Sequence, residues 1–440
     1  MEWTRFQKQY ASKVRYLAVE LPNSKISLSL DALHILQHYF PGSPLLPNLV
    51  SLSWISNKIY FPFASLFISP SLTSIFIMRV HDEAEPILPL IINKLSTLSH
   101  IRELVIHRWC GPMYDPSIEE ASSQLFMQCN QHLRRCEVDS PISAAALGHT
   151  IQLPSLEEFQ LVIRRSFQLP DPLPTVVFPS LRKLEVECNG DPAWLKLLSS
   201  VENPVLTTIK IRCPGSAVER FMETFQPVMA GCGMHECFRE LWMDSPDDVE
   251  ITSQMIACTF SFKNLTSLTL FSEVHCSVLC KTVDLTDDDI DLLTNAMPCL
   301  EDLAVGSSTP CGVPSQITFK SLYTISHRCT RLMGLMIHFN PTLLVTKVGA
   351  DESWDVALGL SDHKTLPSAD LCSVNTLFVG DIPLPTQPNA SCILALGLVG
   401  VFPRLETIEY ENGDWKKVVD LVGICQRMGC FLFGKGYGLH

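Results

Sequence analysis

One spacing of apolar residues, L-x-x-L-x-L, recurs along the whole sequence. The segment FPSLRKLEVE, residues 178–187, shows this spacing with Leu181, Leu184 and Val186. A helical stripe places apolar residues three or four apart, and a half-buried strand alternates them strictly. The motif fits neither pattern alone, because the last two positions alternate like a strand while the first lies on the incoming turn. A chain that repeats this motif is expected to build many short strands.

Fourteen segments carry an apolar residue at all three positions of the motif. Apolar residues make up 46% of the chain, so three such positions are filled by chance at roughly one site in ten. Several copies share a stronger signal, a proline two residues before the first leucine, which is typical of a turn that leads into a strand. The first residues of the copies are about 30 residues apart on average: Val14, Leu49, Leu72, Ile101, Leu133, Leu156, Leu181, Leu206, Phe238, Leu265, Leu300, Leu332, Val374 and Leu405.

The segments between the motifs predict helices. Each has apolar residues at helical spacing, and several begin with a capping serine, threonine or aspartate. The clearest are SLDALHILQHYF (29–40), DPAWLKLLSSV (191–201), SAVERFMETFQPVM (216–229), TDDDIDLLTNAM (286–297) and DWKKVVDLVGICQRM (414–428). Strand and helix therefore alternate along the chain, and a single strand–helix unit cannot bury its apolar side alone, so the units are expected to stack.

This motif resembles the leucine-rich repeat, L-x-x-L-x-L-x-x-N/C-x-L. The resemblance implies an α/β solenoid of the ribonuclease-inhibitor-like horseshoe type, with a parallel sheet on the concave face and helices on the convex face. We expect residues 1–440 to form a single solenoid of about 14 irregular repeats. Residues 1–13 are expected to form an N-terminal lead-in or cap, and residues 411–440 a C-terminal capping helix and tail.

Composition argues against several classes of protein. The net charge is −13 and no stretch is strongly basic, which disfavours binding to nucleic-acid phosphates. The longest apolar run, residues 392–402, is shorter than the roughly 20 residues that span a bilayer, so a buried helix is expected there. The chain has 17 cysteines in no regular framework and no apolar segment at its start. These features predict reduced thiols and a cytoplasmic or nuclear protein.

No candidate for catalysis, metal or cofactor binding stands out. GCFLFGKG, residues 429–436, is close to a phosphate loop but lacks the hydroxyl residue and a following helix. The candidate zinc ligands by residue type are Cys232, His235, Cys237, His275, Cys276 and Cys280. No C-x-x-C pair accompanies them, so the usual spacing of a zinc site is missing. Cys299 and Cys329 are interpreted as small apolar core residues. Asp287, Asp288 and Asp289 are interpreted as a capped helix start. We expect no catalytic residue, no metal and no cofactor.

Two copies suggest a narrower family. LTDDDIDLLTNAMPCLEDLAV, residues 285–305, and FKSLYTISHRCTRLMGLMI, residues 319–337, place helix, cysteine and strand in that order. In this respect they resemble the cysteine-containing repeat of F-box/LRR proteins, and the chain as a whole is similar to the leucine-rich halves of fungal F-box-like proteins. The F-box itself is not seen. WTRFQKQYASKVRYLAV, residues 3–19, resembles the segment that follows an F-box, so the adaptor-binding module is expected to be lost or to lie outside this chain.

The residues between the apolar positions are the candidates for binding. Positions 2, 3 and 5 of each motif should point away from the core and line the concave sheet face. Exposed aromatic side chains beside arginines there have the composition of protein-binding hot spots. The predicted partner-binding residues are Arg134, Arg135, Arg182, Lys183, Lys210, Arg239, Trp242 and Phe378.

These observations favour a protein-recognition scaffold that is not an enzyme. The family resemblance implies the substrate-binding repeat domain of an F-box-type ubiquitin ligase receptor. A protein substrate would bind the concave face, and the ligase adaptor would bind only if an F-box is present elsewhere. Two alternatives stay open: a stand-alone leucine-rich-repeat scaffold or inhibitor, and an enzyme whose site follows no known motif.

Overall fold

In the computed structural model, the alternation of strand and helix is observed directly. The structure describes residues 5–6, 9–20, 29–39, 44–55, 59–80, 88–108, 116–129, 131–163, 178–188, 205–215, 217–218, 220–223, 225, 236–246, 250–272, 283–307, 315–342, 344–345, 372–380, 382–410 and 413–427. The chain divides into two compact units, Met1–Leu206 (unit 1) and Thr207–His440 (unit 2). The expected organisation as a single solenoid stays a prediction.

In unit 1, seven strands pair in parallel and in chain order. They are β1 (Tyr16–Glu20), β2 (Ser51–Ile55), β3 (Ser74–Val80), β4 (Glu103–Arg108), β5 (Arg135–Pro141), β6 (Glu158–Ile163) and β7 (Lys183–Cys188). The helices are α1 (Leu30–Tyr39), α2 (Leu88–Leu95), α3 (Pro116–Gln128) and α4 (Ala144–Thr150), with short 3₁₀ segments at Ala11–Lys13 and Phe61–Phe67. Successive helices α2, α3 and α4 pack against one another.

Unit 2 repeats the same arrangement. Its strands are β8 (Thr208–Arg212), β9 (Glu240–Ser245), β10 (Ser267–Ser272), β11 (Asp302–Ser307), β12 (Gly334–Ile337), β13 (Thr376–Gly380) and β14 (Thr407–Tyr410), all parallel and in chain order. Its helices are α5 (Ser253–Ala257), α6 (Asp287–Ala296), α7 (Phe319–Arg328), α8 (Ala390–Val401) and α9 (Trp415–Arg427). The fold is therefore an α/β leucine-rich-repeat solenoid, as the motif predicted.

Each of the fourteen predicted motifs coincides with a strand. Every strand begins two residues after the first apolar position, and equivalent positions of neighbouring motifs pair, for example Leu17 with Leu52 and Leu104 with Cys136. In the twelve motifs from Leu49 to Val374, all three apolar side chains are buried. In the first and last motifs, some of these side chains are half-exposed. The apolar positions therefore form the core, because each is covered by the next repeat.

A bifurcated backbone hydrogen bond links most successive motifs. The carbonyl oxygen of position 2 accepts hydrogen bonds from the N–H groups of positions 2 and 3 of the next motif. Within unit 1, the Glu157 carbonyl accepts from Arg182 at 2.7 Å and from Lys183 at 3.0 Å. Within unit 2, the Thr207 carbonyl accepts from Arg239 at 2.8 Å and from Glu240 at 3.0 Å. These bonds satisfy the backbone at the turn into each strand and hold the register between repeats.

Large aromatic side chains extend the core from one repeat to the next. In unit 2, the rings of Phe225, Phe238 and Phe262 lie with centroids 5.0–6.1 Å apart, and all three side chains are buried. In unit 1, the Phe159 ring lies 6.2 Å from the rings of both Phe126 and Phe178. Such contacts add to the stabilisation from buried apolar area, so the repeats of each unit share one core.

The predicted helices form where the structure describes them. The Ser29 hydroxyl accepts a hydrogen bond from the Ala32 N–H at 3.4 Å at the start of α1. Residues 217–225 are helical at every position described. Residues 392–401 of the apolar run lie in helix α8, which buries most of its side chains and ends just before Phe402. No described helix is both long and apolar enough to cross a membrane. The predicted helix at 191–201, the phosphate-loop-like segment and the tail after residue 427 lie outside the described residues.

The acidic start of α6 confirms a capped helix and adds a second role. Thr286 and Asp289 form a reciprocal capping box, which satisfies backbone donors at the helix start. Asp287 instead reaches the following helix, where it accepts hydrogen bonds from the Thr318 N–H at 2.8 Å, the Thr318 hydroxyl at 2.7 Å and the Ser321 hydroxyl. This carboxylate therefore couples α6 to α7, which the sequence pattern did not predict.

Candidate functional site

The sheet face opposite the helices carries the candidate binding residues. We call this surface the open face; it is formed by positions 2, 3 and 5 of the motifs and, where the strand continues, by position 7. All eight predicted residues lie at these positions. The side chains of Arg134, Arg182 and Arg239 are exposed, and those of Arg135, Lys183, Lys210, Trp242 and Phe378 are half-buried. Their role in binding stays a prediction, and their surroundings differ between the two units.

In unit 1, the position-3 residues of four consecutive strands alternate in charge. Glu103 pairs in register with Arg135, Arg135 with Glu158, and Glu158 with Lys183. The Arg135 Nε lies 3.4 Å from Glu158 Oε2. Opposite charges on adjacent strands stabilise a sheet modestly. The cations predicted for partner binding on these strands therefore already face acidic neighbours.

Glu137 stands at the centre of this charged network. Its side chain is buried, and it accepts hydrogen bonds from Arg135 Nη2 at 3.0 Å and from Lys183 Nζ at 3.2 Å. Its other close neighbour is His107, whose Nε2 lies 3.4 Å from Glu137 Oε2. Burial opposes ionisation, but the hydrogen bonds from His107 and Arg135 hold the pKa of Glu137 well below its usual range. Glu137 is therefore an ionised carboxylate in a buried site, neutralised by three donors.

His107 is the cationic partner of two carboxylates. Its Nδ1 lies 3.1 Å from both oxygens of Asp139, and Gln160 donates a hydrogen bond to the same carboxylate at 2.7 Å. The hydrogen bonds to Asp139 and Glu137 raise the pKa of His107 to about 10. The imidazole is therefore positively charged at neutral pH, and the cluster is a closed set of ion pairs rather than a set of free cations.

The raised pKa of His107 predicts a pH dependence of stability. An unfolded histidine has a pKa near 6.5, so the stabilisation is complete below about pH 6.5 and is lost as the pH rises through about 10. Thermal unfolding of the wild-type chain and the His107→Gln variant between pH 6 and pH 10 measures this. The difference in melting temperature between them should shrink as the pH rises. A difference that is constant with pH would contradict the charged state assigned to His107.

On strands β9 to β13 of unit 2, the position-5 row of the open face is uncharged and largely apolar. Trp242, Thr269, Ala304, Met336 and Phe378 are partners in register on the consecutive strands β9 to β13. All five side chains are half-exposed. Neighbouring strands are about 4.8 Å apart, so the row extends for about 19 Å. We call these five residues the apolar row. The motif pattern predicted its two ends, Trp242 and Phe378, as binding residues but not the three residues between them.

Two glycines near this row let neighbouring side chains lie close against the backbone. Gly306 has a φ of +155°, a conformation that favours glycine, and a Cβ added there would meet the His338 ring at 3.5 Å. A Cβ added to Gly334 would come within 2.7 Å of Asp302 Oδ1. The carboxylate of Asp302 therefore lies directly over the backbone of β12, next to the apolar row.

The cations predicted on this unit are already bonded. Lys210 Nζ lies 3.1 Å from Glu240 Oε1. Arg239 donates hydrogen bonds through Nη1 to the carbonyl oxygens of Glu236 at 3.0 Å and Asn264 at 3.2 Å. Arg239 therefore closes the turn into its strand, and Lys210 neutralises an acid on the next strand. Among the described residues of this open face, neither of these two cations is left unpaired.

The cysteines and acidic residues form no metal site in the described part of the chain. No group of three His, Cys, Asp or Glu side chains is placed there to hold a metal ion. Cys329 is buried, as predicted, whereas Cys299 is only half-buried. Cys237 is exposed, so it does not belong to the core. Cys232, His235, His275, Cys276 and Cys280 lie outside the described residues.

The fold and its open face define an α/β leucine-rich-repeat protein. No family model matches the chain, and no curated protein matches it. Its structure aligns with that of the internalin inlF from Listeria monocytogenes str. 4b F2365 at 12% identity and a TM-score of 0.34, covering 87% of this chain and 95% of that one. It also aligns with the TLR13–ssRNA13 complex at 14% identity and a TM-score of 0.30, covering 85% and 55%. Similarities this distant identify neither the family of the chain nor its function.

Proposed function

We propose that this chain is a protein-recognition scaffold that binds its partner on the open face. The apolar row of unit 2 is the observation that carries this proposal. A solvated sheet face is normally polar, whereas here Trp242, Met336 and Phe378 stand half-exposed in one line. Tryptophan is enriched among the few residues that carry most of the binding energy of protein interfaces, and phenylalanine and methionine are enriched in the cores of such interfaces. The scaffold positions a partner, and the proposal assigns it no catalytic step.

Loss of the apolar row should abolish partner capture. We expect the Trp242→Ser/Phe378→Ser double variant to lose most of the protein that co-purifies with the wild-type chain, as measured by quantitative mass spectrometry. Ile424→Ser is the matched control, because Ile424 is also an exposed apolar residue of unit 2 but lies on α9. Equal capture by all three proteins would rule out the open face of unit 2 as the binding surface.

The cationic residues of unit 1 allow a smaller test. If the binding surface includes β7, Arg182→Glu should weaken an acidic partner by about two- to fivefold, as is usual for an exposed charge. Because Arg182 is exposed, the melting temperature should stay close to that of the wild type. Isothermal titration calorimetry with the captured partner measures the affinity, and an unchanged value would remove Arg182 from the site.

We also propose that recognition serves an F-box-type ubiquitin ligase. This proposal is supported by the likeness of residues 285–305 and 319–337 to the cysteine-containing repeats of F-box/LRR proteins. In the structure, these residues contribute α6, β11, α7 and β12. Immunoprecipitation of the full gene product from its own cells tests the link. Recovery of a cullin-type ligase adaptor supports it, and partner capture without the adaptor favours a stand-alone scaffold or inhibitor.

A cytoplasmic or nuclear location is part of the same proposal. All eleven described cysteines are free thiols, and free thiols are typical of reducing compartments. Fluorescence microscopy of the tagged full gene product tests this location directly.

A further inference from the structure

The acidic residues next to the apolar row suggest what kind of partner it accepts. Glu240, Ser267, Asp302 and Gly334 form the position-3 row of strands β9 to β12. This row runs alongside the apolar row, two residues away on each strand, or about 7 Å. A partner that covers the apolar row must therefore also meet these carboxylates.

Asp302 differs from the acidic residues around it, Glu240 and Glu301. No basic group in the described part of the chain compensates its charge. Glu240 pairs with Lys210 at 3.1 Å, and Glu301 pairs with Arg331. Asp302 is exposed and has no ion pair or side-chain hydrogen bond within the described residues. Partial burial and the negative charges of Glu301 and Glu240 raise the pKa of Asp302 above its usual value. A cation placed beside Asp302 would relieve this repulsion.

Gly334 fixes where that carboxylate lies. Its missing side chain leaves the space that the Asp302 carboxylate occupies, and an added Cβ would be 2.7 Å from Oδ1. Met336 and Ala304 are the residues two positions further along β12 and β11. The structure therefore holds a negative charge at a defined place beside an apolar contact surface.

We propose that the open face on β9–β13 binds a protein segment in which an apolar side chain stands next to a lysine or arginine. The apolar side chain would pack on Met336, Ala304 and their neighbours, and the basic group would pair with Asp302. A spacing of about 7 Å matches two residues in an extended strand, with both side chains on one side. This inference rests on the proposed recognition function and adds the chemistry of the partner to it.

Selection from a displayed library of random twelve-residue peptides tests the proposal. With the full chain as bait, we expect enriched sequences to carry Lys or Arg within two to four residues of Leu, Met or an aromatic residue. Synthetic versions of the best sequence, with the basic residue changed to Ser or Glu, should bind progressively more weakly. Quenching or enhancement of tryptophan fluorescence and isothermal titration calorimetry give the affinities.

Variants of Asp302 test the ionic contact by exchanging the charges. Asp302→Asn should reduce affinity for the basic peptide about fivefold or more, and Asp302→Lys should make the Glu-substituted peptide the better ligand.

Gly334→Ala should displace the Asp302 carboxylate and weaken binding of the basic peptide, while the melting temperature changes little. Gly148→Ala is the matched control, because a Cβ added there meets nothing within 4 Å. That control should bind like the wild type.

The possible outcomes separate this inference from the proposed function. Acidic or purely polar enriched sequences, or affinities that Asp302→Lys leaves unchanged, would overturn the inference while partner capture through the apolar row could still hold. If the enriched peptides bind the Trp242→Ser/Phe378→Ser variant as well as they bind the wild type, their site lies elsewhere. That result would also overturn the inference. If no peptide is enriched and no protein is captured in a manner that depends on Trp242 and Phe378, both proposals fail.

Discussion

Leu184→Asp is expected to unfold unit 1. Leu184 is 1% exposed, and it pairs in register with Phe159 inside the core that neighbouring repeats share. Removing a buried leucine costs about 2–5 kcal/mol, and burying an unpaired carboxylate adds several kcal/mol more. A typical domain is stable by only about 5–15 kcal/mol. Circular dichroism should show loss of folded structure, and hydrogen exchange should locate that loss in unit 1.

Arg182→Glu is the matched control for this variant. It introduces the same charge two residues earlier, at an exposed position of the same motif. We expect it to melt close to the wild-type temperature, because surface substitutions usually change stability by about 0.5 kcal/mol or less. A soluble Leu184→Asp protein that melts at the wild-type temperature would show that the register of β7 is wrong.

Trp415→Ala is expected to destabilise unit 2 by about 3–5 kcal/mol, as is usual when a buried aromatic residue is truncated. The Trp415 side chain is fully buried at the start of α9. Its Nε1 donates a hydrogen bond to the Ile382 carbonyl at 2.7 Å, and its ring lies 6.2 Å from that of Phe339. Because α9 also packs on α8, losing this anchor should expose the apolar residues of α8. Urea unfolding and hydrogen exchange of α8 and α9 measure the effect.

Trp415→Phe separates packing from hydrogen bonding at this site. It keeps most of the apolar volume and leaves the Ile382 carbonyl without its donor, which should cost about 1 kcal/mol. If Trp415→Phe is as damaging as Trp415→Ala, the hydrogen bond is the main contribution. If Trp415→Ala is harmless, α9 does not act as the cap that was predicted for residues 411–440.

Most of the fold follows from the sequence because its signals are local and repeated. The three apolar positions of each motif predict which residues of that repeat are buried, as at Leu181, Leu184 and Val186. One strand formed at each motif, including the weakest, where Cys136 fills an apolar position and is fully buried. Helix starts such as Thr286 were also predictable, since a cap depends on residues only a few positions apart.

The candidate site was less predictable because its contacts join distant segments. Lys183 and Glu137 are 46 residues apart in the chain, yet they form an ion pair. The motif pattern therefore predicted the cations of unit 1 as binding residues without indicating the acids that neutralise them. The middle of the apolar row did leave a signal, because Thr269, Ala304 and Met336 are the fifth residues of consecutive motifs. The position of Asp302 over Gly334 left none.

The sequence by itself determined the repeat architecture and the division of each strand into a buried and an outward side. Both depend on the spacing of apolar residues, because burying those residues drives folding wherever the spacing recurs. Only the tertiary structure decided what the outward residues do. The charge of a side chain is compensated by residues on the neighbouring strands. The same kind of outward position therefore forms a closed ion-pair network around Glu137 in unit 1. In unit 2 it forms an apolar row beside Asp302, a carboxylate that has no ion pair among the described residues.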